Sequence, residues 1–105
     1  MADKNADMGD YKVLADMRMP ECSLRILRLS PGGAVNLHAH HMTTQVYFVI
    51  KGDAIATIAG ESKKLDPMQS LRVPINTPHA ISTESAAIVL SISVPPLHLD
   101  DQSIV

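Results

Sequence analysis

Two histidines one residue apart, His38 and His40, stand inside GGAVNLHAHHMTTQVYFVIKG, residues 32–52. In an extended strand side chains alternate faces, so these two point the same way while Ala39 and His41 point the other. Neighbouring imidazoles are the start of a metal site, because neutral ring nitrogens ligate Zn, Cu, Fe, Ni and Mn to differing degrees. After the polar break at residues 41–44, the run Gln45-Val46-Tyr47-Phe48-Val49-Ile50 reads as a strand ending at the hairpin signal Lys51-Gly52-Asp53. Gln45 opens that strand, which is expected to pair beside the histidines. Further on, VPINTPHAI (residues 73–81) supplies a turn followed at once by His79. A lone buried histidine is more often a hydrogen-bonded core residue than a ligand. Three at these offsets, framed by glycines, argue instead for one divalent transition metal ion per chain (Mn, Fe, Ni, Zn or Cu) held by His38, His40, Gln45 and His79. His41, facing away, and His98, past the core pattern, are assigned to the surface.

Three neutral imidazoles and an amide cancel none of the ion's charge, whereas the more usual carboxylate would cancel one. Such an ion is bound less tightly but is a stronger Lewis acid, suited to polarising a carbonyl, an enolate or a water. That chemistry favours isomerase, lyase or hydrolytic reactions on a small oxygen-rich molecule. Gln45 has two other readings, an outer residue hydrogen-bonded to a bound water and an exposed strand residue. Tyr47 shares its parity with Gln45 and is the candidate catalytic proton donor, with core packing as the alternative. Arg25, Arg28 and Arg72 would bind an acidic substrate if they faced inward. Alternation sets Arg72 opposite Leu71 and Val73, which suggests an exterior, salt-bridging role. Glu61, Asp66 and Glu84 fall at turns, so no carboxylate general base is evident. Cys22 is the only cysteine, which excludes an internal disulfide and a multi-thiolate site.

Such a site has to be positioned by strands. Residues 11–14, 23–29, 54–58, 61–65, 70–73, 79–83 and 86–94 join the two strands already named, about nine in all, with no helical period over two turns. Ala59-Gly60 turns one hairpin, giving a meander, and Pro31-Gly32-Gly33 breaks the chain before the histidines. In the last strand Ile88, Leu90, Ile92 and Val94 share one face and Ala87, Val89, Ser91 and Ser93 the other, one being core and the other milder. Pro95-Pro96 ends it, and residues 97–105 are expected along the outside. Many short antiparallel strands imply an all-β sandwich or a barrel that closes its edges. The 105 residues, 46% hydrophobic, make a polar tail at 1–10 and one domain over 11–105.

The spacing resembles the two motifs of the cupin family. Gly32, five residues, His38-Ala39-His40, four residues, Gln45, six residues, Gly52 is similar to the first motif, with Gln45 where the family has Glu. Pro74, Asn76 and His79 follow the second, with Met68 and Asn76 where the family has glycine and Thr83 where it has Asn. Asn tolerates the left-handed backbone better than other non-glycine residues. The resemblance covers about residues 23–95 and implies a double-stranded β-helix, a small jelly-roll barrel with the ligands inside its mouth. Residues 68–79 and the His38-Ala39-His40 region are similar to the carboxy-terminal domain of type II mannose-6-phosphate isomerases, which implies sugar-phosphate isomerisation. Cupins with three-histidine iron sites that activate oxygen, acting as dioxygenases, are a further implication.

Fold alone does not fix function. A metal-dependent enzyme and a non-catalytic sugar- or metabolite-binding module both fit. The formal charge of −2 and the scattered basic residues argue against nucleic acid and anionic membranes as partners. No apolar run approaches the roughly 20 residues of a membrane span, and no signal peptide is evident, so a cytoplasmic protein with a small-molecule ligand is expected. A barrel this small leaves edges and apolar faces to cover, for which a twofold homodimer is the common solution. Residues 11–14 and the tail before them are the expected crossing segments.

Overall fold

Period-two alternation decides which side chains this chain buries. The computed structural model describes residues 8–104, apart from the side chains of Leu99 and Ile104, so most of the expected tail (1–7) lies outside the described residues. Eleven strands are described: β1 (Gly9–Asp10), β2 (Lys12–Arg18), β3 (Ser23–Leu29), β4 (Ala34–Ala39), β5 (Thr44–Gly52), β6 (Ala54–Ile58), β7 (Glu61–Leu65), β8 (Ser70–Val73), β9 (His79–Ser82), β10 (Ala87–Val94) and β11 (Ser103–Ile104). One antiparallel sheet runs β2-β3-β10-β5-β8; the other runs β1-β4-β9-β6-β7, with β11 also on β4. The two sheets face each other as an all-β jelly-roll barrel whose core includes Leu27, Leu29, Val49, Leu65, Ile81 and Val89.

Several pairings differ from the sequence-based expectation. β5 pairs with β10 and β8, not with β4, so Gln45 meets the histidines across the barrel rather than beside them in a sheet. The turn at Gly52 joins strands of different sheets and is not a hairpin. β6 and β7 do form the expected hairpin, its two loop residues Ala59 and Gly60 at φ 50° and 84°, as a two-residue loop matching strand twist requires. The chain therefore crosses between sheets instead of meandering. In β10 the buried face is Ala87, Val89, Ser91 and Ser93, while Ile88, Leu90 and Ile92 are half-buried outside. Small residues fit where two sheets close on each other; the bulky aliphatics lie on the outer face.

Residues 9–10 and 97–104 are also more structured than their polarity suggests. Gly9 and Asp10 pair with Val35 and Ala34. The segment after Pro96 returns across the histidine end, where Ser103 pairs with Ala39 and Ile104 with His38.

Four positions that the motif reserves for glycine have left-handed backbone here: Gly32 (φ 81°), Gly52 (77°), Met68 (72°) and Asn76 (57°). At Gly52 a Cβ would overlap the carbonyl oxygen of Ala86, so only glycine fits. Met68 is 70% exposed and has no such obstacle, so its side chain is tolerated at the cost of backbone strain.

Candidate metal centre

His38 and His79 are cross-strand partners in β4 and β9, their ring centroids 4.2 Å apart. His40 lies just beyond the end of β4, edge-on to His38 at 4.8 Å. All three are buried, with exposures of 2%, 1% and 0% for His38, His40 and His79. One ligand nitrogen from each lies within 4.8 Å of the others.

The outer ring nitrogens are all anchored. His38 Nδ1 donates to the Asn36 carbonyl (2.6 Å) and His79 Nδ1 to the Thr77 carbonyl (2.8 Å), in each case two residues back along the chain. His40 Nδ1 donates to the Asp101 carbonyl (2.9 Å), 61 residues away. Burial, with neighbouring histidines adding to it, lowers His38 and His79 to about 4. Burial lowers His40 as well, against the pull of its bond to Asp101. The rings are therefore neutral at pH 7, with the proton on Nδ1 and a lone pair on Nε2.

Gln45 approaches the histidines from the opposite sheet. Its Nε2 donates to Ser93 Oγ (2.9 Å), which turns Oε1 inward to 3.1 Å from His79 Nε2. Both of those atoms carry lone pairs, and buried His40 Nε2 has no hydrogen-bond partner among the described residues. Buried polar groups are normally satisfied. Converging, unprotonated nitrogens with an amide oxygen are a donor set that a divalent cation fits, with the outer hydrogen bonds fixing ring orientation.

The carboxy-terminal segment belongs to the site although residues 97–105 were expected along the outside. Asp101 is buried, and its carboxylate accepts from the backbone N–H groups of His41 (2.8 Å) and Met42 (2.9 Å). Burial alone would raise its pKa, but those two donors and the nearby histidines hold it below the usual carboxylate range. Nothing in the local sequence signals this role, because its partners are about 60 residues away. His41 and His98 are exposed as expected; His41 Nδ1 lies 2.6 Å from Asn76 Oδ1.

Behind the histidines a cavity of about 30 Å³, room for one or two water-sized groups, is lined by Tyr11, Arg25, His38, Gln45, Tyr47 and Ser91 among others. Tyr47 is buried there, its ring centroid 6.0 Å from that of His79, and burial raises its pKa so that it keeps its proton at neutral pH. Arg25 lines this cavity while staying part-exposed, whereas Arg28 and Arg72 are exposed. No carboxylate lines the cavity among the described residues. Glu61, at the start of β7, and Asp66 and Glu84 are exposed, and Cys22 is a half-buried free thiol.

The family model for the cupin domain matches residues 25–94, and the chain belongs to the cupin family. Solved structures agree on the fold. TT1209 from Thermus thermophilus is 22% identical at a TM-score of 0.76, over 91% of each chain. KdgF from Halomonas sp. is 20% identical at 0.75, over 95% of this chain and 89% of that one. Pac13, described as a unique nucleoside dehydratase, is 16% identical at 0.79, over 97% and 82%. No curated protein matches the chain in sequence. Among the described residues no helix is long and apolar enough to cross a membrane.

Proposed function

We propose that this cupin is a metal-dependent enzyme acting on a small oxygenated substrate of sugar or carbonyl type. The observation that carries the proposal is the convergence of four lone pairs, from His38, His40, His79 and Gln45, with every outer nitrogen already bonded elsewhere. These four residues would hold one divalent ion, and with no carboxylate among them that ion would supply strong Lewis acidity to a substrate oxygen. Ser93 keeps the Gln45 oxygen inward. Tyr47, protonated at neutral pH and part of the cavity lining, would donate a proton or a hydrogen bond to a substrate there. Leu27 and Val35 add apolar side chains to the cavity lining. Structural likeness to a nucleoside dehydratase supports lyase-type chemistry on a sugar as one form of this reading.

A second reading, a non-catalytic binding module, is favoured by one observation: the cavity offers no carboxylate to act as a base among the described residues. Assaying metal-loaded protein against sugars, uronates, diketones and thiols separates the two. Turnover that falls in Tyr47→Phe supports the enzyme; saturable binding without turnover supports the module. The ligand set is tested by Gln45→Glu in a chelator competition at neutral pH. Tighter metal binding is expected because a carboxylate adds a negative ligand. Equal affinities would remove Gln45 from the metal and shift the reading towards three-histidine oxygen chemistry.

The homodimer is part of the proposal. Its support is the outer face of the five-stranded sheet, where Leu24, Ile26, Val46, Phe48, Leu90 and Ile92 adjoin one another in register. A second copy would cover this face by sheet-on-sheet packing. Light scattering is expected to give twice the chain mass; a monomer at all accessible concentrations refutes it.

A further inference from the structure

The cavity beside the metal residues is built in cross-strand layers. Ser93 is in register with Ser23 and Gln45, and one layer deeper Ser91 is in register with Arg25 and Tyr47. Ser91 and Tyr47 are buried, and Arg25 is the one formally charged side chain among the described residues lining the cavity. Its charge reaches the same space as Tyr11, where it offsets part of the rise that burial imposes on that phenol. Asp16, the cross-strand partner of Arg25, approaches its Nε at 3.4 Å, and the Arg25 and Asp16 side chains are 29% and 53% exposed. An ion pair so open to water contributes little and does not neutralise the cavity.

We infer that Arg25 is a substrate-binding residue and that the substrate class is a small hydroxy- or oxo-carboxylate. The assignment rests on the metal reading above and narrows it. A guanidinium beside a buried hydroxyl in an otherwise neutral, acid-free cavity favours a planar anion, which it can grip with two parallel N–H donors. Spacing agrees with this class. The Tyr47 and Gln45 layers are two residues apart along β5, about 7 Å. A small molecule carrying a carboxylate and an oxygen on the adjacent carbon is long enough to reach from one layer towards the next. The cavity is small but partly open to solvent, with half-buried Met8 and Leu97 in its lining, so a carboxylate would fill it and the rest of a larger substrate would lie outside.

Calorimetric titration with glycolate and its neutral isostere glycolamide, on protein carrying the metal with which it purifies, tests this. Wild type is expected to prefer glycolate by roughly tenfold to a hundredfold, the range for a hydrogen bond to a charged group. Arg25→Gln removes the preference, Arg25→Lys retains part of it, and Arg28→Gln on the outer face leaves it intact, all three with unchanged metal content. Equal affinity for the two probes in wild type, or an unaltered preference in Arg25→Gln, overturns the assignment and leaves the metal reading standing. Protein that takes up no metal overturns the metal reading instead. The same two probes on that metal-free protein then decide Arg25 alone: a preference lost in Arg25→Gln upholds the anion site, and no preference overturns it. Inorganic phosphate binding more tightly than glycolate with the same dependence on Arg25 would replace the carboxylate by a phosphate.

Discussion

The two ends of the barrel use the same three strands for opposite purposes. At one end the inward residues of β3, β5 and β10 are Leu29, Leu27, Val49, Ala87 and Val89; at the other they are Arg25, Ser23, Tyr47, Gln45, Ser91 and Ser93. Backbone pairing continues through both, so the difference lies only in the chemistry of the inward positions. The apolar end stabilises by area removed from water, at roughly 25 cal/mol per Å². At the polar end each buried group costs free energy unless it finds a partner. There the partners are arranged so that lone pairs remain in the middle, which identifies where a ligand would contribute what the chain alone does not.

A pair of substitutions should separate the ends most strongly. Leu29→Ala, at the dry end, is expected to cost about 2–5 kcal/mol of unfolding free energy while metal content per chain stays at the wild-type value. His79→Ala should do the reverse. Its metal affinity should fall by more than the roughly 10- to 100-fold that loss of an outer partner costs, and its melting temperature should no longer respond to a chelator. Metal retained in His79→Ala, or lost in Leu29→Ala, would break the division.

Acid should find the polar end next. His38 and His79 have folded-state values near 4 against 6.5 for an ordinary histidine, so between those limits the unfolded chain binds more protons than the folded one. The stability of metal-free protein therefore rises with pH across that window. It is fully present above about 6.5 and is lost as pH falls towards 4, each unit of depression being worth about 1.4 kcal/mol. Denaturant titrations between pH 4 and 7 check this, and the slope should be smaller in His79→Ala. A flat profile would show that these rings are not buried neutral.

The smallest effect lies outside both ends. Met68→Gly relieves about 1–2 kcal/mol of left-handed strain and adds about 0.4–1 kcal/mol of unfolded-state freedom. A net gain of roughly 0.5–1 kcal/mol is expected, with metal content unchanged.

What the chain determined by itself was local. The offsets of His38, His40, Gln45 and His79, the strand spans Ser23–Leu29, Ala54–Ile58 and Ser70–Val73, and the left-handed turns follow from period-two alternation and turn chemistry, which act over a few residues. Even the Nδ1 anchors of His38 and His79 are local, each two residues back along the chain. Tertiary closure decided the rest. Alternation shows that the two faces of β10 differ, but not that Ala87, Val89, Ser91 and Ser93 turn inward while the larger Ile88, Leu90 and Ile92 stay outside. It separates Arg25 from Arg28 without saying which one meets the cavity. The bonds that aim Gln45 and His40 run to Ser93 and Asp101, 48 and 61 residues away. Partners at that separation become neighbours only when both sheets have formed and closed, because no local period or turn preference acts over such a distance.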